Sequence, residues 1–398
     1  DPASDTVSFS DGLVDADLIK REPLYTNGGV LSNDPSPWAG DVIASGKGRL
    51  FWNDPTDPNV VRYSQERRED TALEAPVRLS LQLPTEGGSL VGIGVMDDAV
   101  ITFKEHSIMS FAGPGPLANP SVQPEAFAFS PAQLIPSDAG CSSPSSISTT
   151  PIGIVYQSPK GVALVSRQRQ VIPIGEDVEG YDGQRLVRAT PMPGRHAVLM
   201  LTDSGRSLFY DYEHQSWSTF TNHEGYDAVV VNGVYHYLLT DGRVFRETIG
   251  EYADDNSHIK MVIETAWIKM NGYLQGFQKI IHAKFIGEYL SSHSLKVSYR
   301  INYENAYSAP IEIDVDADYT PDEYGDGDYG DGAYGGDGGP SNVYQQQVHL
   351  NRRCQSISFK VEDVQLYDDF GACFELSELL LTGGVLRESF APGADRSQ

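Results

Sequence analysis

The sequence lacks long hydrophobic runs and is poor in cysteine. No apolar stretch approaches the roughly 20 residues of a membrane span, so we expect no transmembrane helix. Its cysteines are Cys141, Cys354 and Cys373, and none belongs to a CxxC or CxxH pair. This number is odd and too small for a disulfide framework. We therefore expect buried free thiols in a reducing compartment.

Positive charge is also scarce. The chain has 398 residues with 29 Lys and Arg against 55 Asp and Glu, which gives a net charge of −26. Residues 301–351 contain eleven acidic residues and neither Lys nor Arg. A surface this negative repels the phosphate backbone, which argues against ordinary DNA or RNA binding. It favours solubility, or a conduit to which polyanions do not adhere.

Catalytic signatures are missing as well. The sequence has no HExxH, no GxSxG and no Walker or dinucleotide glycine loop. No spacing among its acidic residues selects a carboxylate pair of the kind that glycosidases use. His236, within VYHYLL, fits an ordinary strand residue. Four tryptophans are candidates for stacking on sugars, but each lies in or beside a predicted strand, where core packing is expected: Trp38, Trp52, Trp217 and Trp267. We expect no enzyme and no cofactor.

Short runs rich in β-branched and aromatic residues dominate the first part of the chain, and helix signals are nearly absent. The turns between these runs include Asn232-Gly233 and Asp241-Gly242, which are strong signals for β-hairpins. Five successive antiparallel units in ~200 residues are typical of a β-propeller. In preference to a long sandwich, we predict a propeller-like domain over residues 1–255, with blades at about 43–64, 89–111, 150–174, 194–220 and 226–247.

The later part of the chain has longer strands. HIKMVIETAWIKM (residues 258–270) predicts one long strand, and residues 294–303 and 356–363 alternate apolar with polar side chains. The apolar positions of these two segments are Leu295, Val297, Tyr299, Ile301, Tyr303, Ile357, Phe359 and Val361. Long strands with one polar face predict a β-sandwich over residues 256–398.

An acidic loop at residues 319–340 interrupts this second domain. Its segment DEYGDGDYGDGAYGGDGG (322–339) holds six acidic residues and eight glycines. Asp326, Asp328 and Asp331 are weak calcium candidates, because an EF-hand starting at Asp326 has Gly at position 5 and Asp at position 6. We predict instead a solvated loop, or one ordered by a neighbouring subunit through aromatic contacts. The tyrosines that would make these contacts recur every five residues, at Tyr319, Tyr324, Tyr329 and Tyr334.

Turn-rich segments in both halves of the chain carry a resemblance to a known family. In the first half they are LYTNGGVLSN (24–33), GRLFWNDPTDPNVVRYS (48–64), MDDAVITFKEHSIMSFAGPGP (96–116) and IPSDAGCSSPSSISTTPIGIVYQSPKGVALVSRQRQVIPIGEDVEGY (135–181). In the second half they are GYLQGFQKI, FIGEY, NVYQQQVHLNRRCQSISFKVED and LTGGVL. Together these segments, over about residues 24–386, resemble structural or stabilisation proteins of the tail and neck of tailed bacteriophages, and look related to propeller-bearing nozzle proteins. One departure is the acidic loop, where the family usually alternates glycine with tryptophan or serine.

The resemblance implies a non-enzymatic virion component of the tail, assembled in the cytoplasm of a bacterial host. Copies would form a nozzle or adaptor ring, contact neighbouring tail and portal-adaptor proteins, and pass DNA without sequence-specific contact. Two other classes stay open. One is a tail protein that binds or depolymerises host-surface glycans, which requires clustered aromatics and, for cleavage, two facing carboxylates. The other is a calcium-dependent secreted adhesion domain.

Overall fold

The structure is a computed structural model that describes residues 40–67, 73–76, 79–116, 129–221, 223–248, 250–255, 257–270, 277–289, 293–314, 343–365 and 374–386. The chain divides into two compact units, Asp1–Glu247 and Thr248–Gln398. Regular structure is almost entirely β-strand in small antiparallel sheets. The predicted class, a propeller-like region followed by a β-sandwich, is confirmed.

The described residues of the first unit form five small sheets that follow one another along the chain, here named blades 1 to 5. Each strand of a blade pairs antiparallel with the next strand in sequence, as in a propeller. Blade 1 holds β1 (Ile43–Gly46), β2 (Arg49–Asn53), β3 (Val60–Tyr63) and β4 (Ser80–Gln82). Blade 2 holds β5 (Leu90–Met96), β6 (Ala99–Lys104), β7 (Ile108–Ala112) and β8 (Gln133–Ile135).

The remaining blades continue the same order. Blade 3 holds β9 (Ser148–Thr150), β10 (Gly153–Ser158), β11 (Gly161–Ser166) and β12 (Val171–Pro173). Blade 4 holds β13 (Leu186–Met192), β14 (Ala197–Thr202), β15 (Ser207–Asp211) and β16 (Ser216–Phe220). Blade 5 holds β17 (Gly225–Val231), β18 (Val234–Leu239) and β19 (Val244–Arg246). Short 3-10 helices lie at Pro144–Ser146, Glu176–Tyr181 and Pro193–Arg195.

The blades pack face to face in series. Separate clusters of buried apolar side chains join blade 1 to 2, 2 to 3, 3 to 4 and 4 to 5. Within the described residues, no such cluster joins blade 5 to blade 1. Strands β6, β10, β11 and β14 are buried along their whole length because sheets cover both their faces. This arrangement explains their unbroken apolar sequences.

Turn chemistry fixes the register of blade 5. Asn232 and Gly233 have positive φ angles of 53° and 81°, which the two central positions of a type I′ hairpin turn require. Gly accepts this conformation because it has no Cβ, and Asn tolerates it. Val231 therefore pairs directly with Val234. As a result, Val229 and Val231 point to the same face of the sheet.

The second unit is a sandwich of two antiparallel sheets. One has the order β22-β27-β24-β25 and the other β26-β23-β28. A two-stranded ribbon, β20 (Ala253–Asp254) with β21 (Ser257–His258), precedes them. The sandwich strands are β22 (Val262–Glu264), β23 (Phe277–Tyr289), β24 (His293–Ile301), β25 (Ile311–Asp314), β26 (Val343–Cys354), β27 (Ile357–Gln365) and β28 (Phe374–Leu386).

The core of the sandwich follows the predicted alternation. Leu295, Val297, Ile357 and Phe359 are fully buried, and the Phe359 ring contacts that of Phe285 on the other sheet at 6.0 Å between centroids. The alternation ends before Tyr303, which is exposed. It leaves serine, lysine and arginine side chains on the outer face of β24 and β27.

The single long strand predicted for residues 258–270 is wrong, because only Ser257–His258 and Val262–Glu264 are regular strand there. The break follows from Thr265. Its hydroxyl accepts a hydrogen bond of 2.9 Å from the Phe359 N–H. Between this contact and the pairing of Ile268 with Ile357, the Thr265 segment has one residue more than the facing strand β27, as in a β-bulge.

Candidate functional site

The acidic loop lies outside the described residues, within positions 315–342 that connect β25 to β26. The predicted contacts through Tyr319, Tyr324, Tyr329 and Tyr334 therefore stay predictions. The same holds for the calcium candidates Asp326, Asp328 and Asp331. Within the described part of the chain, no three His, Cys, Asp or Glu side chains lie close enough to hold a metal ion. Over those same ranges, no helix is long and apolar enough to cross a membrane.

Two of the three thiols and two of the four tryptophans have structural positions. Cys141 and Cys354 are buried free thiols, as predicted, and burial raises the pKa of Cys141 to about 11. Cys373 and Trp38 lie outside the described residues. Trp52 is buried in blade 1, and the indole N–H of Trp217 donates to the Ile174 carbonyl at 2.8 Å. Trp52, Trp217, Cys141 and Cys354 therefore pack within the fold, as expected for core residues.

In the part of the chain that the structure describes, blade 5 differs from the other blades in having three strands instead of four. Its last strand, β19, pairs with β18 through Leu238 and Val244, Tyr237 and Phe245, and His236 and Arg246. No strand pairs with its other edge in the described residues. Antiparallel strands direct alternate backbone groups to each side. The free edge therefore offers N–H and C=O groups to which a further strand can add.

One face of blade 5 is anchored to blade 4. Ala228 and Tyr235 are buried there against Leu199 and Leu201 of β14. A salt bridge of 3.1 Å joins Arg188 of β13 to Asp227 of β17, and Arg195 pairs with Glu247. The blade is therefore held by both apolar packing and surface ion pairs.

His223 lies at this junction and is surrounded by aromatic rings. Its ring centroid is 4.1 Å from that of Tyr237, 5.7 Å from Tyr235 and 6.4 Å from Phe220. Within the described residues, its buried Nδ1 has no hydrogen-bond partner. Burial lowers the pKa of His223 from 6.5 to about 4. The imidazole is consequently neutral at physiological pH.

The opposite face of blade 5 is apolar and open to solvent. Val229 is 51% exposed, Val231 48% and Val244 67%. Val234, His236 and Leu238 share this face, because each pairs directly with one of these residues. The sequences AVVV and VYHYLL have the unbroken apolar pattern of strands that are covered on both faces. Among the described residues only one face is covered, so the sequence of blade 5 is that of a sheet with a second neighbour.

The other end of the array is blade 1. Its edge strand β1 exposes Ile43 at 67%. Beside it lies a cavity of about 630 Å³ whose lining includes Arg49 and Arg67. Arg49 is buried and donates to the Ser64 carbonyl at 3.0 Å and to that of Pro116. This end combines an exposed apolar side chain with a basic recess, and it differs chemically from the face of blade 5.

Sequence comparison gives no relative, since no family model and no curated protein matches the chain. Solved structures that resemble the chain distantly in shape include the following three. BamB from Moraxella catarrhalis is 11% identical with a TM-score of 0.35, over 52% of this chain and 57% of that one. The WD40 β-propeller domain of Doa1 is 14% identical with a TM-score of 0.33, over 56% and 67%. Exo-β-1,3-galactanase from Phanerochaete chrysosporium is 9% identical with a TM-score of 0.31, over 89% and 99%. At these sequence identities and TM-scores, the similarities say nothing about the function of this protein.

Proposed function

We propose that this protein is a non-enzymatic structural component of a phage tail, part of a ring through which DNA is retained and ejected. The proposal rests on the sequence resemblance described above. The structural observation that supports it is the open face of blade 5, where Val229, Val231 and Val244 are exposed on a sheet with apolar patterning on both sides. Contiguous exposed apolar patches on soluble proteins commonly mark interaction surfaces.

A ring of identical copies needs two different surfaces that fit one another. The first unit has two unlike ends, the apolar face and free edge of blade 5 and the end of blade 1 with Ile43 and its basic recess. Contact between blade 5 of one copy and blade 1 of the next is a head-to-tail interface. Such an interface closes into a ring when the rotation between copies permits it.

The charge of the chain is compatible with a DNA conduit. At −26, the protein repels DNA in general, and a negative lumen lowers friction during ejection. We expect acidic side chains to dominate any surface that faces the channel. A basic channel wall in the assembled ring contradicts this part of the proposal.

The interface is tested by Val231→Asp, which places a carboxylate on the open face of blade 5. Burying an unpaired charge costs several kcal/mol, so we expect assembly to weaken by at least ~100-fold. Val262→Asp is the matched control, because Val262 is similarly exposed, at 45%, in the second unit. The measurement is incorporation of each chain into phage particles, together with the position of blade 5 in an electron-microscopy map of the particle. Equal incorporation of both variants, or a blade 5 face in solvent, refutes the proposal.

A further inference from the structure

The outer face of the four-stranded sheet in the second unit carries a cluster of aromatic and cationic side chains. Arg300 of β24 lies at its centre. The guanidinium carbon of Arg300 is 4.9 Å from the ring centroid of Trp267 and 4.7 Å from that of Tyr307. The Trp267 ring is in turn 4.9 Å from that of Tyr303. Lys360 of β27 approaches the Tyr307 ring at 5.9 Å.

Two aromatic rings therefore hold the Arg300 side chain, while most of its donors stay available. Its Nε donates a long hydrogen bond of 3.4 Å to the Ser358 hydroxyl. Neither terminal amino group of Arg300 has a hydrogen bond or an ion pair to any other described residue. A guanidinium fixed in this way has lost rotamer freedom in advance, so binding a ligand costs less entropy. Its planar fork matches a carboxylate with two parallel hydrogen bonds.

Three neighbouring lysines each have a carboxylate partner. Lys260 and Lys360 both pair with Glu362, at 2.8 Å and 3.1 Å. Lys296 pairs with Glu312 at 3.1 Å. Arg300, by contrast, has no carboxylate partner among the described residues, so it offers a positive charge on a protein whose net charge is −26. One fork suits a ligand with an isolated carboxylate better than a nucleic acid, which carries a phosphate on every residue.

Tyr303 belongs to the same cluster and has a strained backbone conformation. It has a φ of 64° and follows Asn302 at 53°, so a bulky residue occupies the left-handed region that glycine prefers. The turn is held by the Asn302 side chain, whose Oδ1 accepts from the Gln355 N–H at 2.8 Å. The Tyr303 ring is 52% exposed. Strain of this kind is concentrated at functional positions.

We propose that this cluster binds a saccharide unit that carries a carboxylate, as in an acidic polysaccharide. The Arg300 fork receives the carboxylate, and the half-buried Trp267 and the exposed Tyr303 contact the apolar C–H face of the sugar ring. The Tyr307 hydroxyl donates to Glu264 Oε2 at 3.0 Å, which fixes the second ring that contacts Arg300. The site is on the second unit alone and does not depend on tail assembly.

Titration of the full chain with tetragalacturonate, using maltotetraose as the neutral counterpart, tests the site. We expect binding of the acidic oligosaccharide only, and a loss of at least ~10-fold in Arg300→Gln, since the variant cannot form the charge-assisted pair with the carboxylate. Arg300→Lys keeps the charge without the planar fork, so we expect a similar loss. Lys284→Gln, which removes one cation from β23 on the other sheet, is the control and retains affinity.

Thermal unfolding of each variant separates loss of the site from loss of the fold. Weaker binding in Trp267→Ala with an unchanged melting temperature supports the stacking role. Equal affinity for maltotetraose and tetragalacturonate, unchanged affinity in Arg300→Gln, or no binding of tetragalacturonate overturns the proposal. So does binding of oligothymidylate at the same residues in preference to the acidic sugar.

Discussion

Acidification is expected to loosen the contact between blades 4 and 5, because His223 must become charged inside its aromatic surroundings. Desolvation is the cause that lowers its pKa from 6.5 to about 4, and no neighbouring carboxylate offsets it. Tyr235, which packs against it, has a raised pKa and stays neutral through this pH range. Between pH 6.5 and 4 the unfolded chain therefore binds a proton that the folded chain does not.

The sign and size of the effect follow from this difference. A histidine with a lowered pKa has no effect on stability above pH 6.5 and destabilises the fold progressively as the pH falls towards 4. A shift of this size corresponds to about 3 kcal/mol when complete, at 1.36 kcal/mol per pH unit. His223 is partly exposed, and screening by solvent reduces the loss to roughly 1–3 kcal/mol.

NMR titration of histidines labelled at Cε1 measures the pKa directly, with His223→Gln identifying the resonance. Hydrogen exchange of β17 and β18 amides at pH 4.5 and 7 then reports the local stability. We expect faster opening at low pH in the natural chain and a smaller change in His223→Gln. His214→Gln is a control of opposite sign, because Asp211 raises the pKa of His214 and stabilises its charged form at low pH. A His223 that titrates near 6.5 refutes the reasoning.

Two further predictions concern buried and strained positions. Lys104→Met is expected to destabilise the first unit by about 1–3 kcal/mol, because it removes the donor to the carbonyls of Pro84 and Glu86, at 2.6 Å and 2.7 Å. Urea denaturation measures this loss of stability. An unchanged urea midpoint contradicts the prediction. Tyr303→Gly is expected to be more stable than Tyr303→Ala by ~1 kcal/mol, since only glycine relieves the left-handed strain. Their melting temperatures decide the second case, and equal values count against strain at this turn.

The strand pattern of both units could be predicted from local signals. Asn232-Gly233 specified a hairpin, and the alternation from Leu295 to Val297 specified a half-buried strand. Among the described residues of the first unit, three strands fall outside the predicted blades, namely β4, β8 and β13. The sequences SLQ of β4 and QLI of β8 are too short and polar to show a period, and LVRATPM of β13 contains a proline, which argues against a strand. These strands form through pairing with the neighbouring strand, which a local reading of the sequence does not include.

The aromatic cluster around Arg300 could be predicted from the sequence only in part. Trp267 was recognisable as a candidate for sugar stacking, but nothing near it in sequence indicated Arg300 or Tyr307. The pairing of Ile268 with Ile357, and of β24 with β27, brings these residues together. The alternation placed Arg300 on a polar face, and only the sheet order shows which side chains share that face.

Serial packing makes the first unit behave as a short one-dimensional array, in which each blade is stabilised by its nearest neighbours. An interior blade loses two interfaces when it unfolds, whereas blade 5 loses one among the described residues. Fraying therefore starts from the end of the array. A partner that covers Val229 and Val231 supplies the missing interface, so that docking on this face and the folding of the last blade become one cooperative event.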